Sequence, residues 1–175
     1  KGCEGPQYRS AFICHRKQTW RHLLDSYGSR VVINQSDSNS GMNVLRAAIA
    51  QYQMPRFFQS VCYSGSHLSS LHFIQSQLAD LAAIDCISLE YALHFYPETY
   101  KDIRILGYSQ ATFALPYICA QTVPNSIQAL VLTALQHVSV ENPVLMQRLS
   151  IHGIVPSNLN DYDPILQLEH SASEL

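Results

Sequence analysis

Residues 31–52 read VVINQSDSNSGMNVLRAAIAQY, and this one stretch decides the fold class. It opens on the β-branched run Val31–Asn34, passes through a Ser-, Asn- and Asp-rich loop, and ends in a helical pattern. Over Gly41–Tyr52 the apolar residues Met42, Leu45, Ala48 or Ile49, and Tyr52 recur at the spacing of one helix face. Pro55 ends the pattern, because proline has no N–H to donate and its ring clashes with the preceding turn. A strand that runs through a polar loop into a helix is half of a βαβ unit.

The alternation continues in both directions. Tyr8–Cys14 (YRSAFIC) predicts a strand, and Thr19–Tyr27 predicts a short helix with Trp20, Leu23 and Leu24 on one side. Phe57–Tyr63 is strand-like and leads to an amphipathic helix over His67–Leu78, through Leu68, Leu71, Ile74 and Leu78. Leu81–Ile84 predicts a compact strand, followed by a helix over Ile87–Phe95 that Pro97 stops. Ile103–Leu106 and Leu115–Ala120 predict two further strands. Beyond Pro124 the pattern is helical, over Ser126–Val138, Pro143–Leu149 and Pro164–Leu168. Strands alternating with helices of ~10 residues give an α/β fold, a doubly wound and mainly parallel sheet with helices on both faces. The C-terminal helices have too few strands beside them to close a sheet of their own, and so are expected to belong to a second lobe.

Composition narrows the function. The chain has 175 residues, 47% hydrophobic and 14% charged, enough to bury a real core. With 11 basic against 13 acidic residues, a net charge of -2 and no basic run, it lacks the clustered Lys and Arg that phosphate-backbone contacts require. Nucleic acid is therefore not an expected partner. No apolar stretch reaches the ~18 residues of a membrane span, and no signal peptide opens the sequence. Five cysteines form no CxxC pair, which removes zinc ribbons and thioredoxin-like chemistry. Cys14, Cys62, Cys86 and Cys119 border apolar runs and are expected in the core, where free Cys behaves as a small hydrophobe.

Polar residues collect at three successive strand ends. VVIN runs into Gln35-Ser36-Asp37-Ser38-Asn39-Ser40-Gly41, QSVCY into Ser64-Gly65-Ser66-His67, and LAAI into Asp85-Cys86 with Ser88 starting the next helix. Ligands of open parallel sheets bind at the carboxyl ends of strands. Helix N-termini fed by such loops attract anions, because their first N–H groups are free and the helix dipole is positive there. Ordinary N-capping by Ser, Asn and Asp accounts for each loop taken singly. His67 adds a ring that can donate to an oxyanion directly at a helix start.

In combination, DSNSGMN (Asp37–Asn43), SGSH (Ser64–His67) and ADLAAIDCISL (Ala79–Leu89) resemble the phosphate- and phosphonate-binding proteins of ABC transporters. The likeness runs from about Tyr8 to Pro124, in the family's order. It implies the type 2 periplasmic-binding fold, two α/β lobes joined by crossover strands with the ligand in the cleft. On that resemblance 8–110 is a complete lobe with its crossovers. Residues 111–175 are then the return segment and C-terminal helices of the other lobe, which is truncated at its N-terminal side. The lobe proper spans about Gly28–Tyr100, flanked by crossovers near Tyr8–Cys14 and Ile103–Ser109. The resemblance also implies the site: Ser38, Asn39 and Ser40 as one oxyanion clamp, Ser66 and His67 as the other. The acidic residue of the family's strand falls on Asp85, as a selector among anions or a partner for an amine. Capping of the Ile87 helix accounts for Asp85 equally well. The implied function is capture of phosphate, phosphite or a phosphonate without catalysis, with no cofactor and an ABC transporter permease as partner. The implied place is the periplasm or the outer face of the membrane, with a signal peptide in a segment before Lys1. A parent without one would be a cytoplasmic sensor of the same fold, and the odd cysteine count leans that way.

Two rival readings come from other classes. Gly107-Tyr108-Ser109-Gln110-Ala111 nearly matches the G-x-S-x-G nucleophile elbow, and Asp161 or Asp163 and then His170 follow in α/β-hydrolase order. A serine esterase using Ser109 is the result. Against it, Pro116 cuts the segment where the elbow's helix should run, and no HGGG-type loop precedes it. Metal binding would need His67 and His72, but five residues apart they face different sides of a helix, and no Cys or carboxylate completes the set.

Overall fold

The computed structural model describes residues 3–171. In chain order it contains β1 (Gln7–Tyr8), β2 (Ser10–His15), β3 (Arg30–Ile33), α1 (Val44–Ala50), β4 (Ser60–Tyr63), α2 (His67–Gln75), β5 (Leu81–Asp85) and α3 (Cys86–Phe95). Then follow β6 (Ile103–Tyr108), β7 (Thr112–Phe113), α4 (Asn125–Glu141), α5 (Pro143–Arg148) and α6 (Asp163–Ser171). A π turn over Asn39–Asn43 leads into α1, and 3-10 turns occupy Leu23–Ser26 and Leu159–Tyr162.

Five strands form one sheet in the order β4-β3-β5-β2-β6. β3 pairs parallel with β4 and β5, while β2 runs antiparallel to both β5 and β6. The sheet is thus mainly parallel, and the strands expected as crossovers, β2 and β6, pair with each other in opposite directions. β1 and β7 make a separate antiparallel ribbon in which Tyr8 faces Thr112.

Alternate side chains of each strand point to opposite faces, and here both faces are buried. Ala11, Ile13, Val32, Ala82 and Ile84 pack against Leu71 and Ile74 of α2 and Leu89 and Ala92 of α3. Phe12, Val31, Ile33, Leu81 and Ala83 pack instead against Val44, Leu45 and Ile49 of α1, with Phe57 and Phe58. Every residue of β2 is buried. The doubly wound α/β class follows from this two-sided core.

The local differences have physical causes. The helix expected over Thr19–Tyr27 shrinks to the turn Leu23–Ser26, because the Asp25 carboxylate takes the N–H groups of Arg21 and His22 at 2.6 and 2.9 Å and fixes a local loop instead. Those two backbone bonds hold the exposed Asp25 carboxyl below its usual range. Phe57 and Phe58 precede the ladder rather than join it, as Gly28 N–H donates to the Phe57 carbonyl at 2.9 Å. Leu115–Ala120, expected as a strand, has no regular structure. Its β-prone side chains find no ladder partner among the described residues, and Ile118 is 87% exposed.

The chain divides into two compact units. One runs through Phe113 and takes in the segment from Tyr162 onward; the other is Ala114–Asp161. In the second unit Pro124 precedes α4 and Pro143 opens α5, where a missing N–H costs nothing. None of its residues is buried, and Leu130, Val140 and Val144 of its helices stand well exposed. Cys14 lies in the core as expected, but Cys62 and Cys86 are half-buried and Cys119 is exposed, so the core reading fails for Cys119. No helix of the described residues is long and apolar enough to cross a membrane.

Candidate anion-binding site

Three loops at the carboxyl edge of the sheet meet because their parent strands β4, β3 and β5 are neighbours. The loop after β3 turns at Ser38, whose Oγ accepts the Gly41 N–H at 3.0 Å, while its carbonyl accepts those of Met42 and Asn43. Gly41 is required by a close approach: a Cβ there would lie 1.7 Å from Asn34 Oδ1. The loop after β4 is pinned to the first loop's strand, with Ser64 N–H donating to the Ile33 carbonyl and Gly65 N–H to that of Asn34, both at 2.9 Å. Gly65 sits at φ 86°, a left-handed conformation that suits glycine. Ser66 then caps α2, its Oγ accepting the Ser69 N–H at 3.1 Å.

This places His67 at the first position of α2, facing the other two loops. Its Nε2 lies 2.8 Å from Ser40 Oγ and 3.4 Å from Asp85 Oδ2. Asp85 ends β5 and caps α3: its Oδ1 accepts the N–H groups of Ile87 and Ser88 at 3.0 and 2.8 Å. Capping thus occupies one carboxylate oxygen and leaves the other for the imidazole. Burial lowers the His67 ring below its ordinary value, with the Asp85 charge opposing. A neutral imidazole at pH 7 follows, and its buried Nδ1 has no hydrogen-bond partner.

The sequence left two members of this group unmarked. Tyr8 is 4% exposed, and its hydroxyl accepts from Asn39 Nδ2 at 3.4 Å, with the Ser40 and Thr112 side chains near enough to influence the phenol. Burial raises the Tyr8 phenol above its ordinary value, which keeps it protonated as a donor. Tyr8 and Thr112 reach the site through the β1–β7 ribbon, a pairing that no local pattern announces. The Asn39 Oδ1 and Asn34 Oδ1 acceptors are buried without partners.

Among the expected residues, Asn39, Ser40, His67 and Asp85 come together, with Ser38 Oγ 3.5 Å from Ser40 Oγ. The Ser66 side chain is exposed, and its hydroxyl is occupied by the backbone and Oγ of Ser69 rather than by the other loops. Ser38, Ser66 and Asp85 are therefore caps, while Ser40 and His67 cap nothing. The esterase reading fails on geometry. Ser109 starts no helix, its Oγ accepts the Ser10 N–H at 2.9 Å and donates to the Gln110 carbonyl at 2.8 Å, and His170 Nδ1 is held by the Leu166 carbonyl. His72 likewise turns to Ser76 on its own helix, away from His67. A cavity of about 400 Å³ lies elsewhere, between Val44 and Tyr52 of the α1 region, Tyr108 and Leu168, and none of the clamp residues lines it.

Comparison with known proteins bears on the fold and the family. Residues 2–162 match the family described as ABC transporter, phosphonate, periplasmic substrate-binding protein. No curated protein sequence matches the chain. A binding protein component of an ABC phosphonate transporter from Pseudomonas aeruginosa superposes with a TM-score of 0.79 at 16% identity, over 94% of this chain and 57% of that one. PhnD1 from Prochlorococcus marinus, solved with methylphosphonate, gives 0.79 at 12% identity, over 94% and 66%. XAC2383 from Xanthomonas citri, solved with ATP, gives 0.69 at 14% identity, over 95% and 66%. At these identities the likeness establishes the fold, and the chain spans roughly three-fifths to two-thirds of each protein's length. Taken with the match across most of the sequence, it follows that the chain belongs to the family of ABC-transporter phosphonate periplasmic substrate-binding proteins.

Proposed function

We propose that the parent protein captures a small phosphorus oxyanion, phosphate, phosphite or a phosphonate, and hands it to an ABC transporter permease. The observation that carries this reading is the meeting of Ser40, His67 and Asp85 from three separate strand ends. The first N–H groups of the Asn39–Asn43 turn and of α2 have no partner within their own turns, and those of Asn39, Ser40, His67 and Leu68 are the natural donors to oxyanion oxygens. The Ser40 and Tyr8 hydroxyls and the His67 ring add side-chain donors; Ser38 and Ser66 shape the two loops and contribute as part of the clamps.

Asp85 discriminates. A carboxylate oxygen beside the site repels a full dianion but accepts a proton from a monoprotonated phosphoryl group or from the amine of an aminophosphonate. The unit Ala114–Asp161, with no buried residue of its own, belongs on this reading to the second lobe. The lobes close on the ligand by movement at the crossovers β2 and β6. Nothing in the arrangement calls for a covalent step, and the reading places the protein outside the cytoplasm.

Calorimetry on the full-length parent tests the proposal, with phosphate, phosphite, methylphosphonate and 2-aminoethylphosphonate as ligands. Saturable binding of at least one supports it. Indifference to all of them ends it.

A further inference from the structure

The Asn39–Asn43 segment, which supplies Asn39 and Ser40, is a π turn. The Asn43 N–H donates to the Ser38 carbonyl at 3.1 Å, and the Val44 N–H to that of Asn39. Such turns are rare and occur mostly singly, frequently at functional sites. The last residue of this one, Asn43, is 6% exposed, and its Oδ1 accepts from Arg46 Nη2 at 2.9 Å. The two residues stand three apart, the spacing at which side chains meet on one helix face. The same nitrogen reaches the Glu169 carbonyl at 3.5 Å. Glu169 lies in the last turn of α6, where carbonyls have no partner within the helix and the helix dipole favours a cation. Arg46 thus fastens the clamp turn to a helix far along the chain.

That helix is itself seated. Leu168 packs on the buried cluster that holds Met42, Val44 and Leu45, and α6 touches β7 as well as the clamp turn and α1. Just before α6, the Tyr162 ring meets that of Phe113 on β7 edge-on, with centroids 5.4 Å apart. β7 in turn pairs with β1, which carries Tyr8. One helix therefore braces both the turn that bears Ser40 and the ribbon that bears Tyr8. No carboxylate among the described residues pairs with Arg46, so replacing it leaves no acidic group unpaired.

We propose that Arg46 is a positioning residue of the anion site, holding Asn39 and Ser40 opposite His67 by tying their turn to α6. The proposal rests on the oxyanion-capture reading given above. Arg46 acts through Asn43 and offers no atom to the ligand. Without its bonds the turn samples other conformations and must be ordered again on binding, which costs affinity.

The test uses the full-length protein and its Arg46→Met, Arg46→Lys and Leu168→Ala variants, read by hydrogen–deuterium exchange without ligand and by calorimetry. In Arg46→Met the peptide over residues 38–44 should exchange faster, while peptides from β3 and β5 keep their protection. Whichever of phosphate, phosphite, methylphosphonate and 2-aminoethylphosphonate the unsubstituted protein binds should bind roughly 3- to 30-fold more weakly. Arg46→Lys keeps the charge on a side chain one bond shorter and should lie between the two. Leu168→Ala loosens α6 with Arg46 in place and should bring the same two changes, so the test survives a failure of Arg46→Met to fold. Unchanged exchange over 38–44 with unchanged affinity overturns the proposal. So does exchange that rises evenly over β3, β5 and α1, since Arg46 would then support the whole fold rather than the turn. Indifference of the unsubstituted protein to all of these anions instead ends the capture reading, and exchange still decides whether Arg46 holds the turn.

Discussion

The Ser40 hydroxyl meets Nε2 of His67 at 2.8 Å and so joins the loops that follow the neighbouring parallel strands β3 and β4. Neither residue caps its helix, so both groups can turn to a ligand without dismantling a helix end. Buried hydrogen bonds to a charged ligand are each worth about 1.5–3 kcal/mol. Ser40→Ala and His67→Ala in the full-length protein should each weaken oxyanion binding on the order of 10- to 100-fold by calorimetry. Unchanged affinity in both variants would remove the two-clamp site.

The buried His67 ring gives a pH signature. Its folded value lies below the ordinary 6.5, so between the two values the unfolded chain binds more protons than the native one. Stability is full above about 6.5 and falls as pH drops below it, levelling once the folded value is passed. Urea midpoints measured from pH 8 down to 5 should decline in that window, and the decline should flatten in His67→Gln. A bound anion favours the imidazolium, so binding near pH 6 should take up protons, visible as a dependence of the calorimetric heat on the buffer's ionisation enthalpy. A heat independent of buffer would show that His67 does not face the anion.

Gly41 and Asn34 form a coupled pair. A Cβ at 41 would press 1.7 Å from Asn34 Oδ1 and 3.2 Å from Ser38 Oγ, and Asn34 is 8% exposed with little room to move. Gly41→Ala should cost about 1–3 kcal/mol through overpacking. Combined with Asn34→Ala, part of that cost should be recovered, a coupling of about 0.5–3 kcal/mol in denaturation experiments. Strict additivity would mean that the asparagine swings aside freely.

Asp85 performs two tasks with two oxygens, and substitution separates them. Asp85→Ala removes the α3 cap and should destabilise by about 0.5–2 kcal/mol. Asp85→Asn keeps an acceptor for the Ile87 and Ser88 N–H groups but removes the charge beside His67. It should preserve Tm better and move preference away from 2-aminoethylphosphonate toward phosphate. A ratio of affinities equal to that of the unsubstituted protein would leave Asp85 as a cap alone.

What could be read in the sequence follows from range. The strands β3 and β5 and the helices α1 to α3 are announced by short-range periodicity, and Ser38, Ser66 and Asp85 by the chemistry of capping, which acts over three residues. Asn39 and Ser40 entered only through the family resemblance of the DSNSGMN stretch, and His67 through its place at a helix start as well. Tyr8 and Thr112 were not, since each is an unremarkable strand residue until β1 pairs with β7. Leu115–Ala120 misled because its β-branched and aromatic content is a packing preference, and a strand needs a neighbour to pair with. Asp25 broke the Thr19–Tyr27 helix by a side-chain competition for backbone N–H groups that apolar spacing does not register.

The Tyr8–Thr112 pairing also sets a timetable. On the ribosome Tyr8 emerges early, and the strand it must face is among the last parts of its unit to be made. The sheet neighbours β3, β4 and β5 are complete well before that, whereas the tyrosine wall of the site waits for a contact spanning nearly the whole unit. Contacts of such long sequence separation form late, because the intervening loop must be closed first. A nascent chain released before Thr112 would carry Tyr8 but not the strand that holds it against the clamp loops.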